Sequence, residues 1–339
     1  TTRLNQVDAI YNALNSKADD GSGAQKFYTE AQIDAMFADG AGFMNAALNG
    51  TGKKVRSKTS AGCAAGNSAT QAQFDDQIAD FTANVVSAWS ADASAGVAGK
   101  LTDATRSIHV NGAGHEIDQT FVKGLIGGMC LDQIVNNYLQ PCQLDSGTRR
   151  DDNTNGTLAS GKNYTDMEHK WDEAFGYLYG QEADYSRADL GSAPTGNGTT
   201  LNKYFKKIND SNMPGISQTV YDAFKLGRAA IVAGNYEVRD AQANIIKINL
   251  SKVIGYKSVD YLNGYMSKMA AGNTADAFHA LSEGYGFIMS LQFTNDGNDN
   301  PHFTKAEVDA MLAKLSDFWT VKDSDLTSMV SQIKSKMNI

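Results

Sequence analysis

IDQTFVKGLIGGMCLDQIVNNY, residues 117–138, decides the fold class. Its large apolar residues Ile117, Phe121, Leu125, Met129, Ile134 and Tyr138 return at intervals that keep them on one side of a helix, with no strand-like alternation. Outward from it the pattern repeats: Leu4, Val7, Ile10, Tyr11 and Leu14; Ile33, Met36, Phe37, Phe43 and Met44; Phe74, Ile78, Phe81, Val85 and Trp89. On the other side come Val220, Phe224, Ala230 and Ile231, then Ile245, Ile246, Leu250, Ile254, Tyr261 and Met266. The four prolines, at 141, 194, 214 and 301, fall where one periodic segment ends or the next begins. The expected fold is all-α, a large helical bundle with long polar loops. At 339 residues the chain can form one helical domain over 1–339 or two packed halves, 1–160 and 161–339; both arrangements stay open.

Hydrophobic residues at 42% and charged residues at 20% are globular values, and no run of about eighteen apolar residues predicts a transmembrane segment. A net charge of -8, with 30 Lys and Arg scattered along the chain and no basic stripe, opposes nucleic acid and anionic lipid as partners. Cys63, Cys130 and Cys142 include no CxxC pair and no zinc spacing. A Cys130–Cys142 disulfide is geometrically conceivable, since Cys142 follows just after the helix that carries Cys130; buried free thiols are the alternative. Thr1, without Met or an apolar signal region, suits a mature or trimmed chain whose export signal has been removed.

Polar stretches at Gly21 to Gly23, Gly50 to Gly66, Asp145 to Asn163 and Gly191 to Thr200 separate the helices. The one at 145–163 is long for a bundle connection and reads as a lid or a tolerated insertion. Residues 27–36 (FYTEAQIDAM) echo 303–311 (FTKAEVDAM); in both, a Thr can cap a helix start, through shared capping chemistry or as the trace of two related halves.

Three constellations can carry chemistry. His169, Asp172 and Glu173 stand at i, i+3 and i+4, which puts an imidazole and two carboxylates on one helix face, the spacing of metal ligands. His279 and Glu283 repeat the i, i+4 relation, so opposed faces would gather four or five N and O ligands; two ordinary surface pairs are the plain alternative. Glu116, Gln119 and Lys123 share a helical face as cofactor-binding candidates, while Gly124, Gly127 and Gly128 permit close approach of a neighbouring helix. The third constellation, 296–307, sets Asp296, Asn298, Asn300 and Glu307 at calcium-loop positions. Pro301 stands where that loop needs a positive-φ glycine, so a capped loop feeding a helix at Thr304 is the preferred reading over calcium. No GxSxG, HExxH, Walker or dinucleotide fingerprint occurs.

The stretches 168–177 (EHKWDEAFGY), 123–127 (KGLIG) and 283–287 (EGYGF) resemble an exported bacterial lipoprotein family classed as a domain of unknown function. The resemblance runs from the Thr29–Asp34 segment to Phe318 and Trp319. That family is distantly similar to imelysin-like helical proteins, which are exported, bind or help import iron, and carry a Gly-x-His-x-x-Glu motif. His169 fits the motif, but Met167 replaces its glycine and Asp172 its glutamate, with Glu173 one position later. The peptidase label once attached to imelysin-like proteins finds no HExxH and no nucleophile here. The resemblance implies a periplasmic or outer-membrane-anchored lipoprotein. The leading expectation is a non-catalytic exported protein that binds iron, another divalent metal or a metal-linked ligand through His169 with Asp172 or Glu173, aided by His279 and Glu283. Two alternatives are a structural module with Tyr256, Tyr261 and Tyr265 facing an envelope protein partner, and a hydrolase with Glu116 or Glu173 as base. The hydrolase requires an open cleft and a carboxylate of raised pKa.

Overall fold

Helical periodicity over most of the chain becomes helix over most of the structure. The computed structural model describes residues 1–19, 25–63 and 68–339. Among them are thirteen α-helices: α1 (Thr2–Ala13), α2 (Glu30–Asp34), α3 (Ser68–Asp80), α4 (Ile117–Leu125), α5 (Pro141–Leu144), α6 (Arg149–Thr154), α7 (Asp166–Tyr179), α8 (Leu201–Asp210), α9 (Ile216–Val232), α10 (Tyr236–Ala270), α11 (Thr274–Ser290), α12 (Lys305–Lys314) and α13 (Asp323–Met337). The all-α expectation holds. No helix is long and apolar enough to cross a membrane among the described residues.

α10, at 35 residues roughly 52 Å long, is the spine on which α9, α11 and α13 pack. A short turn reverses the chain between α10 and α11, with Gly272 at φ +78 where a side chain would be strained. α4 lies parallel to α11: Glu116 meets His279 and Ser282, Lys123 and Gly124 meet Gly286, and Gly127 meets Ser290. The glycines make this possible, since a Cβ at Gly286 would stand 2.5 Å from Lys123 Cβ and one at Gly127 2.2 Å from Ser290 Cβ. Beyond Leu125 the same helix continues through π-helical turns at Ile126–Leu131 and Ile134–Tyr138. Residues 117–135 are buried without interruption, so this helix is enclosed on every side rather than on one apolar face. Its polar residues are therefore buried too. One hydrophobic core extends from Leu4 to Met337.

Two short antiparallel pairs interrupt the helices, β1 (Ala18–Asp19) with β2 (Gln25–Lys26) and β3 (Gly99–Thr102) with β4 (Ser107–Val110). Sequence periodicity did not announce the second hairpin, because four-residue strands are too short to display it. Its turn is closed by Asp103 Oδ1, which accepts the N–H groups of Thr105 (2.8 Å) and Arg106 (2.9 Å).

Neither sequence alternative for the cysteines holds in full: Cys130 does not pair with Cys142, and of the three only Cys130 is a buried free thiol. Cys63 bonds to Cys142, with Cα atoms 6.2 Å apart. Cys130 points into the core, whereas the Cys63 segment is drawn onto the far end of the same long helix. There the Cys63 N–H donates to Asn136 O (2.8 Å), and Asp132 Oδ2 accepts the Ala61 N–H (3.0 Å). The polar stretch 145–163 contains α6 and is tied down: Asn153 donates to Ile231 O (2.8 Å), and buried Arg239 grips Asp145 in a fork at 2.6 and 3.0 Å. Thr29 and Thr304 both cap their helices in full capping boxes, as the echo of 27–36 in 303–311 predicts, and Thr165 does the same for α7. The stretch Gly21 to Gly23 and positions 64–66 lie outside the described residues.

Candidate functional site

The parallel packing of α4 on α11 gathers Glu116, Gln119, Lys123, His279 and Glu283 into one buried polar group. Glu116 is the N-cap residue of α4, and its N–H donates to Ser282 Oγ (2.9 Å), which fixes the carboxylate beside α11. His279 Nδ1 donates to Glu116 Oε2 at 2.5 Å. In the neutral ring that bond leaves Nε2 with its lone pair free, directed toward Glu283 Oε2 at 3.6 Å. The other oxygen of Glu283 is engaged by Lys123 Nζ and by the Tyr204 hydroxyl, each at 3.3 Å. Lys123 donates in turn to Gln119 Oε1 (2.8 Å), and Gln119 donates to Asp118 Oδ2 (3.0 Å) and the Tyr11 hydroxyl (3.1 Å).

These groups are scarcely exposed: the side chains of Lys123, Glu116, Glu283 and His279 keep 6, 12, 13 and 15% of their surface. A charge so placed persists only with partners. Burial alone would raise the pKa of Glu283, but the positive charge of Lys123, that of His279 when its ring is protonated, and a hydrogen bond from Tyr261 outweigh it and hold the carboxyl below its ordinary range. Asp118 behaves oppositely: burial, reinforced by the negative charge of Glu116, raises its pKa well above the usual value.

A cleft of about 260 Å³ opens onto the group, walled by Tyr11, Trp89, Arg106, Glu116, Asp118 and His279. The β3–β4 hairpin forms one side, anchored where Arg106 Nε meets Asp276 Oδ1 at 2.9 Å and Asp103 accepts the Asp276 N–H at the start of α11.

The His169 constellation is dispersed. Its imidazole, 40% exposed, stacks on Tyr164 and stands 3.4 Å from Glu173, while Asp172 turns away to Arg228 (3.1 Å), which also holds Glu168 (2.8 Å). Among the described residues His169 pairs with Glu173 and His279 with Glu116 and Glu283, with no partner in common, so the structure does not bring the two constellations together. Among the described residues, no three His, Cys, Asp or Glu side chains are arranged to hold a metal ion; His279 and Glu283 present two donors.

The calcium positions close on themselves. Asp296 Oδ1 accepts the N–H groups of Asn298 (2.7 Å) and Asn300 (3.1 Å), and Asn300 Nδ2 donates to Asn298 O (3.2 Å). Glu307 caps Thr304 and pairs with Lys336, so its carboxylate serves α12 and α13. Asp118, Tyr204 and Ser282 were not singled out from sequence. A charged residue inside the apolar 117–138 helix is a signal that can find Asp118; nothing local marks the other two.

The profile of a family described as "Domain of unknown function (DUF4856)" matches residues 2–339. No curated protein and no solved structure matches the chain.

Proposed function

The chain belongs to that DUF4856 family of unknown function, and from this premise we propose a non-catalytic exported binding protein that takes up a cation at His279 and Glu283. The cation is iron or another divalent metal, free or carried by a ligand of its own. One observation carries the reading. His279 Nε2 and Glu283 Oε2 are 3.6 Å apart, near the roughly 3.5 Å between two donors each about 2.1 Å from one ion, and unlike His169–Glu173 at 3.4 Å the pair is buried and its imidazole is held from behind by Glu116. Glu116 orients the imidazole from behind, and Lys123 holds the second oxygen of Glu283, as outer partners of metal ligands do. Imidazole with carboxylate suits iron, zinc or manganese better than calcium. Two protein donors leave the remaining positions to water or to an arriving chelator, which supports a metal-linked ligand. A periplasmic or outer-membrane-anchored location follows the sequence resemblance alone, whose imelysin-like motif falls on His169 and not on His279, and the Cys63–Cys142 disulfide is compatible with an oxidising compartment.

The test is calorimetric titration of metal-free protein with Fe(II), Zn(II) and Ca(II). Saturable binding of the first two, lost in His279→Ala and weakened about 10–100-fold in Glu116→Gln, is the expected result. Absence of saturable heat with any of the three removes the proposal.

A hydrolase is a second reading, now carried by Asp118 rather than by Glu116 or Glu173 as base, since its carboxyl keeps its proton to higher pH than usual and lines the cleft beside Glu116 and His279. A panel of chromogenic esters and glycosides decides it: turnover abolished by Asp118→Asn supports the reading, and no turnover retires it.

A further inference from the structure

We propose that Lys203, Lys207 and Lys257 form a binding site for a small oxyanion, the phosphate or carboxylate group of a soluble ligand. In a chain of net charge -8, α4, α8 and α10 crowd ammonium groups around two tyrosine rings. Lys207 Nζ lies 5.2 Å and Lys123 Nζ 5.6 Å from the ring centre of Tyr204, and Lys257 Nζ lies 4.6 Å from that of Tyr261. Lys203 is one helical turn from Lys207, a like-charge i, i+4 pair that destabilises its helix. Four cations gather here against two carboxylates: Glu283 on Lys123 at 3.3 Å and Asp260 on Lys257 at 3.0 Å. Neither Lys203 nor Lys207 has a carboxylate within ion-pair distance among the described residues. Lys257 is nine-tenths buried, so its charge is poorly screened by water, and burial with the positive charges of Lys257, Lys203 and Lys123 lowers the pKa of Lys207 against the opposing charge of Glu283. An oxyanion relieves that repulsion by accepting charge-assisted hydrogen bonds from the two unpaired lysines. The site goes beyond cation uptake and shares Lys123, Glu283, Tyr204 and Tyr261 with that group.

The experiment is calorimetric titration of the full chain with inorganic phosphate and, separately, with citrate at low ionic strength. Three proteins are compared: the unaltered chain, Lys203→Gln/Lys207→Gln, and the exposed control Lys162→Gln. Saturable binding of either anion, weakened at least tenfold in the double variant, unchanged in the control and reduced by added salt, is expected. Binding of phosphate alone or citrate alone identifies which oxyanion the site takes. No saturable heat from either anion, or equal affinity in the double variant and the unaltered chain, overturns the proposal. Far-ultraviolet circular dichroism confirms that both variants are folded, since all three substitutions are at solvent-reaching positions.

Discussion

Gly127→Ala and Gly128→Ala, one position apart on the same buried helix, are expected to change stability in opposite directions. A Cβ at Gly127 stands 2.2 Å from Ser290 Cβ and 2.6 Å from Ser290 Cα. Carbon atoms rest about 3.5–4.0 Å apart, so α4 and α11 must separate by more than about 1 Å or shear. That movement breaks the bonds of Ser290 Oγ, which accepts the Gly127 N–H (3.1 Å) and donates to Gly286 O (2.8 Å). Overpacking at about 1–3 kcal/mol and a buried donor left unpaired at about 1–3 kcal/mol sum to about 4 kcal/mol. The helical preference of Ala over Gly offsets about 1 kcal/mol, leaving about 3 kcal/mol. With an unfolding entropy of about 2.1 cal/mol/K per residue, that loss lowers the Tm of a chain this long by about 4 °C. At Gly128 the nearest atom is Phe293 Cε2 at 3.4 Å, an ordinary contact, so only the propensity gain remains and Tm rises by about 1 °C. Because the same packing sets Glu116 against His279, Gly127→Ala also weakens the proposed cation binding. The assay is thermal unfolding followed by circular dichroism, with urea midpoints as a check. Shifts of the same sign in both variants, or a Gly127→Ala protein within about 1 °C of the unaltered chain, refute the reasoning.

Cys63→Ser opens a link between residues 79 apart and is expected to cost about 4 kcal/mol; thiol titration of the unfolded, unreduced chain should find one free thiol, and three would contradict the assigned pair. His169→Ala removes an exposed i, i+4 pair and is expected to change stability by at most about 0.5 kcal/mol and leave metal titrations unaltered; loss of metal binding would return the site to α7. Burial pushes the Asp132 carboxyl up to about 6, whereas an unfolded Asp titrates near 3.9. The folded state therefore binds the extra proton between these values, so this group's contribution is greatest below about pH 4 and falls as pH rises through about 6, by roughly 3 kcal/mol. Urea midpoints from about pH 4 to about pH 7 should show the stability difference between the unaltered chain and Asp132→Asn shrinking by that amount, and a constant difference would count against it.

Much of the fold is legible locally because helical periodicity, proline punctuation and Thr caps are properties of neighbours in sequence. The capping boxes at Thr29 and Thr304 and the close-packing glycines Gly124 and Gly127 follow from that kind of information. The candidate site was legible only in part. His279 with Glu283 and Glu116 with Gln119 and Lys123 are each pairs or triplets along one helix, and each was recognisable alone. Their union was not, because it depends on the parallel register of α4 and α11, which are 163 residues apart at Gly127 and Ser290. His169 with Glu173 has the same local spacing as His279 with Glu283. Spacing cannot reveal that Arg228, 56 residues beyond Asp172, claims that carboxylate.

By itself, then, the sequence determined the all-α class, several helix starts and two of the three glycines it marked for close approach, Gly124 and Gly127 but not Gly128, since backbone propensity and apolar spacing act over one or two turns. Tertiary structure alone decided that Cys63 reaches Cys142, that the helix is buried on every side over 117–135, and that lysines scattered from 123 to 257 meet around two tyrosines. Those outcomes depend on which surfaces exclude water together, and that is settled by the packing of the whole chain.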